Sequence, residues 1–117
     1  MAIIYHITHA AAWADAQARG SYTADSLASE GFIHCSDPAQ IVATANRYYP
    51  GQHGLLLLAI APARVTAEIR FENLTGGSEL FPHIYGPLNL DAVTAVLPFD
   101  PGPNGTFTQL PEGAPAG

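Results

Sequence analysis

A chain of 117 residues that is 48% hydrophobic suits a single domain and can bury one core without disulfides. Only 12% of its residues are charged, and the net charge of −6 comes from ten acids against four arginines with no lysine. Polyanions are gripped by clustered Lys and Arg, so RNA and DNA are not expected partners and a small-molecule ligand is. The longest apolar run, residues 55–62, falls far short of the ~20 needed to span a bilayer. No basic region precedes an apolar stretch at the N-terminus, so neither a membrane span nor a signal peptide is expected. The single cysteine, Cys35, cannot form an internal disulfide, which fits a cytoplasmic location.

Taken in chain order, residues 2–7 alternate as a strand, with Ile3, Tyr5 and Ile7 on one face and Ile4, His6 and Thr8 on the other. Thr8 is placed to cap an alanine-rich helix that carries Trp13 and stops at Gly20. Residues 21–30 read as loop plus a short helical turn. Residues 32–36 form a second short strand, with Phe32, His34 and Ser36 on one face and Ile33 and Cys35 on the other.

The next helix has the clearest local signal. Asp37 caps it, Pro38 suits its first position and Gln40 completes a capping box. Ile41, Val42, Ala45, Tyr48 and Tyr49 then follow the spacing of one buried stripe, ended by Pro50-Gly51. Residues 55–60 are continuously apolar, which predicts a central strand covered on both faces. Residues 61–66 connect to a strand at 67–72, and 73–78 form a loop turning at Gly76-Gly77. A short strand at 83–85 is broken by Gly86-Pro87, and a final strand runs over 92–97. Pro, Gly and polar residues dominate from Asp100, so the reading is one domain over 1–99 with a largely disordered tail over 100–117. The fold class is α+β: a small mixed, split sheet of five or six strands with two main helices.

Three histidines, His6, His34 and His83, lie in strand-like segments flanked by bulky apolar residues. Imidazole titrates near neutral pH and both donates and accepts hydrogen bonds. Three such groups on adjacent strands would line one cleft; the alternative for each is a half-buried ring bonded to a backbone carbonyl. Ser36 and Asp37 at a helix N-terminus favour phosphate or carboxylate, with simple capping as the alternative. Tyr85 and Phe81 could stack a planar ring or only pack. Glu72 and Glu79 are the acids near the third histidine and candidates for a general base or a ribose contact. Cys35 is read as a core residue, because neighbours in a strand face opposite ways and it cannot pair with His34. The tight spacings that mark zinc sites are missing, and no metal is expected.

The segments Ser26-Leu27-Ala28-Ser29-Glu30-Gly31-Phe32-Ile33-His34-Cys35-Ser36 and Phe81-Pro82-His83-Ile84-Tyr85-Gly86-Pro87-Leu88 resemble the signatures of a bacterial family, domain of unknown function 952. Ile4-Tyr5-His6-Ile7 and Ala45-Asn46-Arg47-Tyr48-Tyr49 match as well, so the resemblance spans roughly residues 3–98. Members are sometimes labelled glutathione S-transferase domain proteins, but these 117 residues do not supply a thioredoxin-like half and a larger helical half. The family is similar to the ADP-ribosyltransferase fold, a split sheet that grips NAD or a related phosphorylated nucleotide. The resemblance implies a transferase-like enzyme using such a nucleotide, with His34, His83 and Glu72 in catalysis. It implies that His6 and Ser36 contact ribose or phosphate and that Phe81 and Tyr85 surround the base. Where relatives of this pattern carry Arg before the Gly pair, Thr75 stands here. Two alternatives stay open: a non-catalytic small-molecule sensor using the same cleft, and a metal-dependent hydrolase built on the three histidines.

Overall fold

The computed structural model describes residues 2–115. Its first sheet joins strands β1 (Ile4–His9), β4 (Leu55–Ile60) and β8 (Val93–Phe99), all antiparallel, in the order β1-β4-β8. The apolar run at 55–60 is therefore the central strand, as its composition predicts. Leu55, Leu57 and Ala59 enter one core cluster while Leu58 and Ile60 enter the other. β8 continues through Pro98 to Phe99, past the expected end at 97. An edge strand has ladder positions whose N–H is not needed, so proline is tolerated there.

On one face of this sheet lie helices α1 (Ala10–Arg19) and α2 (Asp25–Glu30), with Trp13, Ala16 and Leu27 packed into the first cluster. Helix α1 ends at Gly20, whose φ of 86° is left-handed and lets its N–H reach the Ala16 carbonyl. Thr8 does not cap α1. The β1–β4 ladder runs on to His9, and Thr8 points into the core instead, so the helix starts at Ala10 without a side-chain cap. On the opposite face lies helix α3 (Ile41–Tyr48), with Ile41 and Ala45 fully buried against Tyr5, Ile7 and Leu57.

The turn before α3 matches the capping-box pattern atom for atom. Asp37 Oδ1 accepts from the N–H groups of Ala39 (2.8 Å) and Gln40 (2.9 Å), and Gln40 Oε1 accepts from Asp37 N–H (3.0 Å). Tyr48 departs from the expected buried stripe and is 60% exposed. The helix side bearing residues 44, 47 and 48 borders a cleft rather than the sheet.

A second sheet has the order β3-β6-β5, from β3 (Ile33–His34), β5 (Glu68–Glu72) and β6 (Phe81–Tyr85). β6 begins two residues before the expected start because Pro82 still offers its carbonyl, which accepts the Cys35 N–H at 3.0 Å. A two-residue ribbon, β2 (Ser21–Tyr22) with β7 (Leu88–Asn89), closes one side. All pairings between named strands are antiparallel, so among the described residues the expected split sheet is three antiparallel sheets rather than a mixed one, and the short helical turn expected in 21–30 is helix α2 beside the two main helices. The two larger sheets meet at one bridge, Tyr5 opposite Ser36, whose reciprocal N–H···O bonds measure 2.7 and 2.8 Å.

The segment from Asp100 has no helix or strand among the described residues, but it is not the loose tail its composition suggests. Phe107 is 2% exposed and stacks at 4.8 Å from Phe99. Asn46 clamps it, donating to the Phe107 carbonyl and accepting its N–H, both at 2.8 Å. Leu110 and Ala114 pack on the same cluster, and the Tyr5 hydroxyl donates to the Pro115 carbonyl. Three apolar residues spaced through a polar segment are too few to register as a pattern, yet they cover the sheet face that α3 leaves open. Residues 116 and 117 of the expected tail lie outside the described residues. Phe107→Ala is expected to destabilise the protein by about 3 kcal/mol, the usual cost of emptying a buried phenyl site. Urea denaturation measures it, and a change within about 0.5 kcal/mol, the range of surface substitutions, would mean the segment contributes nothing to the core.

Candidate functional site

The register of the second sheet decides which side chains meet. Ile33, Ile84 and Ile69 are partners across the three strands and face the core. By alternation, Phe32 and His34, then Phe81, His83 and Tyr85, then Glu68, Arg70 and Glu72 share the other face. His34 lies directly opposite His83, and His83 opposite Arg70.

His83 is held from several sides. Its Nδ1 lies 2.9 Å from Glu72 Oε1, Phe32 stacks on its ring at 4.2 Å, and the His34 ring approaches edge-on at 5.4 Å. A carboxylate only accepts, so Nδ1 carries the proton and Nε2 of the neutral ring presents a lone pair. Among the described residues no partner meets Nε2, and no buried side-chain nitrogen or oxygen lacks one, so Nε2 opens to the cleft that His83 lines. The Tyr85 hydroxyl donates to the same Glu72 oxygen. These bonds, from Tyr85 first and His83 second, hold the Glu72 carboxyl below the usual carboxylate range. The Tyr85 phenol is correspondingly raised by Glu72. Arg70 lies 4.4 Å over the Tyr85 ring while its guanidinium grips Glu68 through two 3.0 Å bonds. His34 is half exposed, and its Nε2 lies 3.0 Å from Glu30 Oε2.

These residues form one wall of a cleft of about 910 Å³. Glu30, Phe32, His34, Phe81 and His83 stand on that wall, and Asn73 to Thr75 rim it. Thr44, Arg47 and Tyr48 of α3 line the same cleft. Thus His34, His83, Glu72 and Phe81 are brought to one place. Tyr85 is not on the cleft wall but braces Glu72 behind it. Ser36 is 2% exposed, with its hydroxyl 3.0 Å from that of Thr44, and the N–H groups of the α3 turn are taken by Asp37. Glu79 lines the cleft next to the loop that Asn73 organises, its carbonyl accepting from Asn73 Nδ2 at 2.7 Å.

The His6 ring does not join the other two. β1 turns it into the first core cluster, where it is 7% exposed and both nitrogens are engaged. Nδ1 lies 2.5 Å from the His34 carbonyl and Nε2 2.7 Å from the Tyr22 hydroxyl, itself 3.0 Å from Thr8 Oγ1. A carbonyl only accepts, so Nδ1 donates and the neutral ring takes the Tyr22 proton at Nε2, which makes Thr8 the donor to Tyr22. Burial pushes the His6 pKa down to about 4, opposed by the bond to His34 and aided by repulsion from the His34 charge. Cys35 is likewise a core residue, its thiol pushed well up by burial. Among the described residues no three His, Cys, Asp or Glu side chains group as metal ligands, so the metal-hydrolase reading finds no ligand set. No helix among them is long and apolar enough to cross a membrane.

Phe32, Glu30 and Arg47 are among the cleft residues that sequence reasoning passed over. Phe32 and Glu30 lie inside the signature segment beside His34, and Arg47 inside the matching segment of α3, so their positions were marked although their roles were not.

The family model for a protein of unknown function, DUF952, matches residues 7–96, and the chain belongs to that family. The crystal structure of protein CC0527 from Caulobacter crescentus is similar, with 33% identity, a TM-score of 0.81, and coverage of 91% of this chain and 93% of that one. A doubly substituted form of CC0527 gives the same values, and its solution NMR structure matches with 34% identity and a TM-score of 0.79, covering 91% of both chains. No curated protein matches the chain.

The buried His6 makes stability pH-dependent with a definite sign. Its folded pKa of about 4 lies below the ordinary 6.5, so between those values the unfolded chain binds the extra proton and stability falls as pH falls. The loss amounts to about 3 kcal/mol across that window. Glu72, whose folded pKa is depressed, loses its contribution only below the ordinary 4.5, which separates the two effects. Urea midpoints from pH 7 to 4.5 should fall steeply for the wild type and much less for His6→Gln. Parallel slopes for the two proteins would show that the His6 ring takes up its proton without unfolding.

Proposed function

We propose that the cleft binds NAD or a related phosphorylated nucleotide, and that His83, oriented by Glu72, moves a proton of the bound ligand. The observation that carries this reading is the Glu72–His83 hydrogen bond, with Nε2 unpartnered and open to a cleft large enough for such a ligand. Glu72 fixes the tautomer that leaves Nε2 as the acceptor, and its negative charge favours the imidazolium formed when Nε2 takes a proton from a ligand hydroxyl. His34, 5.4 Å away and paired with Glu30, is the second imidazole available to return a proton to a leaving group. The ligand class comes from the family's resemblance to the ADP-ribosyltransferase fold, and a planar base suits a cleft lined by Phe32, Phe81 and Tyr48. In this reading Ser36 and Tyr85 are supports. Ser36 ties β3 to α3 through Thr44, and Tyr85 holds Glu72. His6 contributes through the His34 carbonyl, which it anchors.

Thermal-shift titration with NAD and ADP-ribose is the direct test, since a ligand at a hundred times its dissociation constant adds ~2.7 kcal/mol of stability. A raised Tm for the wild type, lost in His34→Ala, is expected. If no nucleotide raises Tm at millimolar concentration, the proposal fails. For a ligand that does bind, single-turnover assays followed by chromatography test the chemistry. His83→Asn should lower turnover ~10²–10⁴-fold, the usual contribution of a general acid–base, while Glu72→Gln keeps binding but loses rate. Binding without turnover by the wild type would instead identify a sensor.

A further inference from the structure

We propose that Arg47 is the anion anchor of the cleft, so that the ligand carries its phosphate or other anionic group at α3, in the cleft that His83 also lines. The inference deepens the nucleotide reading and rests on the same cleft.

Three observations converge on it. First, the chain has only four arginines, and two are committed: Arg19 lies 3.0 Å from Asp15, and Arg70 grips Glu68. Arg64 sits in the turn Pro62–Arg64, away from the cleft. Arg47 lines the cleft, and among the described residues no carboxylate lies within ion-pair distance of it. In a chain of net charge −6 with ten acids, an arginine without an acidic partner is conspicuous on the wall of the large cleft. Second, several other groups that could hold an anion are spent. The N–H groups of Ala39 and Gln40, in the turn before α3, are taken by Asp37, the Ser36 and Thr44 hydroxyls bond each other, and the Thr75 N–H and hydroxyl both go to Asn73. Third, the lining also carries Glu30, Glu72 and Glu79, which repel an anion and drive it toward the only arginine among the lining residues.

Arg47 also lies 5.4 Å over the ring of Tyr48, an exposed aromatic on the same wall. The ring steadies the guanidinium while leaving its in-plane N–H fork to meet a phosphate. The ligand class is thus an anionic ester with a planar base, phosphate at α3 and reacting hydroxyl at the histidines.

The test uses the full chain, 15N-labelled, titrated with adenosine 5′-monophosphate, adenosine and inorganic pyrophosphate, with Arg47→Gln, Arg47→Lys and Arg64→Gln beside the wild type. The monophosphate should bind about tenfold more tightly than adenosine, as a charge-assisted contact implies. The Arg47 Nε–H resonance should move with the monophosphate and with pyrophosphate but not with adenosine. Arg47→Gln should bring the preference to about one, Arg47→Lys should keep part of it, and Arg64→Gln, which removes the same charge elsewhere, should keep all of it. Equal binding of adenosine and its monophosphate by the wild type, or a preference that survives Arg47→Gln, overturns the inference while leaving the nucleotide cleft standing. A response of Arg47 to pyrophosphate with no binding of adenosine or its monophosphate supports the anion anchor and counts against the nucleotide. If neither pyrophosphate nor the monophosphate moves Arg47, the inference is wrong.

Discussion

Two backbone hydrogen bonds between Tyr5 and Ser36 join the two halves of this molecule, and the cleft depends on them. The two sheets share one core cluster, in which Ile33, Ile84 and Ile69 pack with Ile4, Leu58 and Ile60, and the bridge fixes their register by tying β1 to the chain just after β3. The His6 ring adds a side-chain bond to the His34 carbonyl, so two adjacent residues of β1 grip residues 34 and 36. Helix α3 starts a few residues beyond this junction and lies over the first sheet, while β6 and β5 extend the second sheet away from it. The space between is the cleft. A buried neutral histidine thereby helps hold the junction beside the cleft, and its desolvation is the cost of doing so.

The face that lines the cleft stacks its charges in layers. Glu68 holds Arg70, Arg70 covers Tyr85, Tyr85 and His83 donate to Glu72, and Phe32 caps the His83 ring. Each group is satisfied by the next, so a largely buried imidazole keeps one nitrogen free without leaving an unpaired polar atom in the interior. This is the arrangement that lets a carboxylate orient a histidine rather than neutralise it. The cleft lining carries both signs, Glu30 from α2, Glu72 from β5 and Glu79 from the loop before β6 beside Arg47 from α3, although the chain has few cations to place.

Features governed by nearest neighbours were legible before the fold was known. The capping box at Asp37 and Gln40 spans four residues, and its bonds form whatever surrounds them. The apolar run of β4 and the alternation that puts Phe32 with His34 and Phe81 with His83 and Tyr85 follow from strand period alone. Thr8 was misread because the same residue type caps helices and lines strands, and the choice was made by β4, some fifty residues away, extending its ladder to His9. The segment after Asp100 was misread because composition averages over residues, whereas Phe107 and Asn46 act one at a time.

The sequence by itself determined the α+β class, the family, the strand faces and the stretch of chain in which the site lies, because each depends on local pattern or on motifs read along the chain. It could not decide which histidines meet. His34 and His83 do because β3 pairs with β6 in the register that sets residue 34 opposite 83, across almost fifty residues of chain. The His6 ring does not because β1 presents even-numbered residues to the α1 face, where Tyr22 and the His34 carbonyl engage both of its nitrogens. Nor could it decide that Glu72 serves His83 or that Arg47 faces the cleft without a carboxylate partner. Strand register and helix docking are set by burial summed over the whole core, and a shift of one residue would have reversed every one of those side chains.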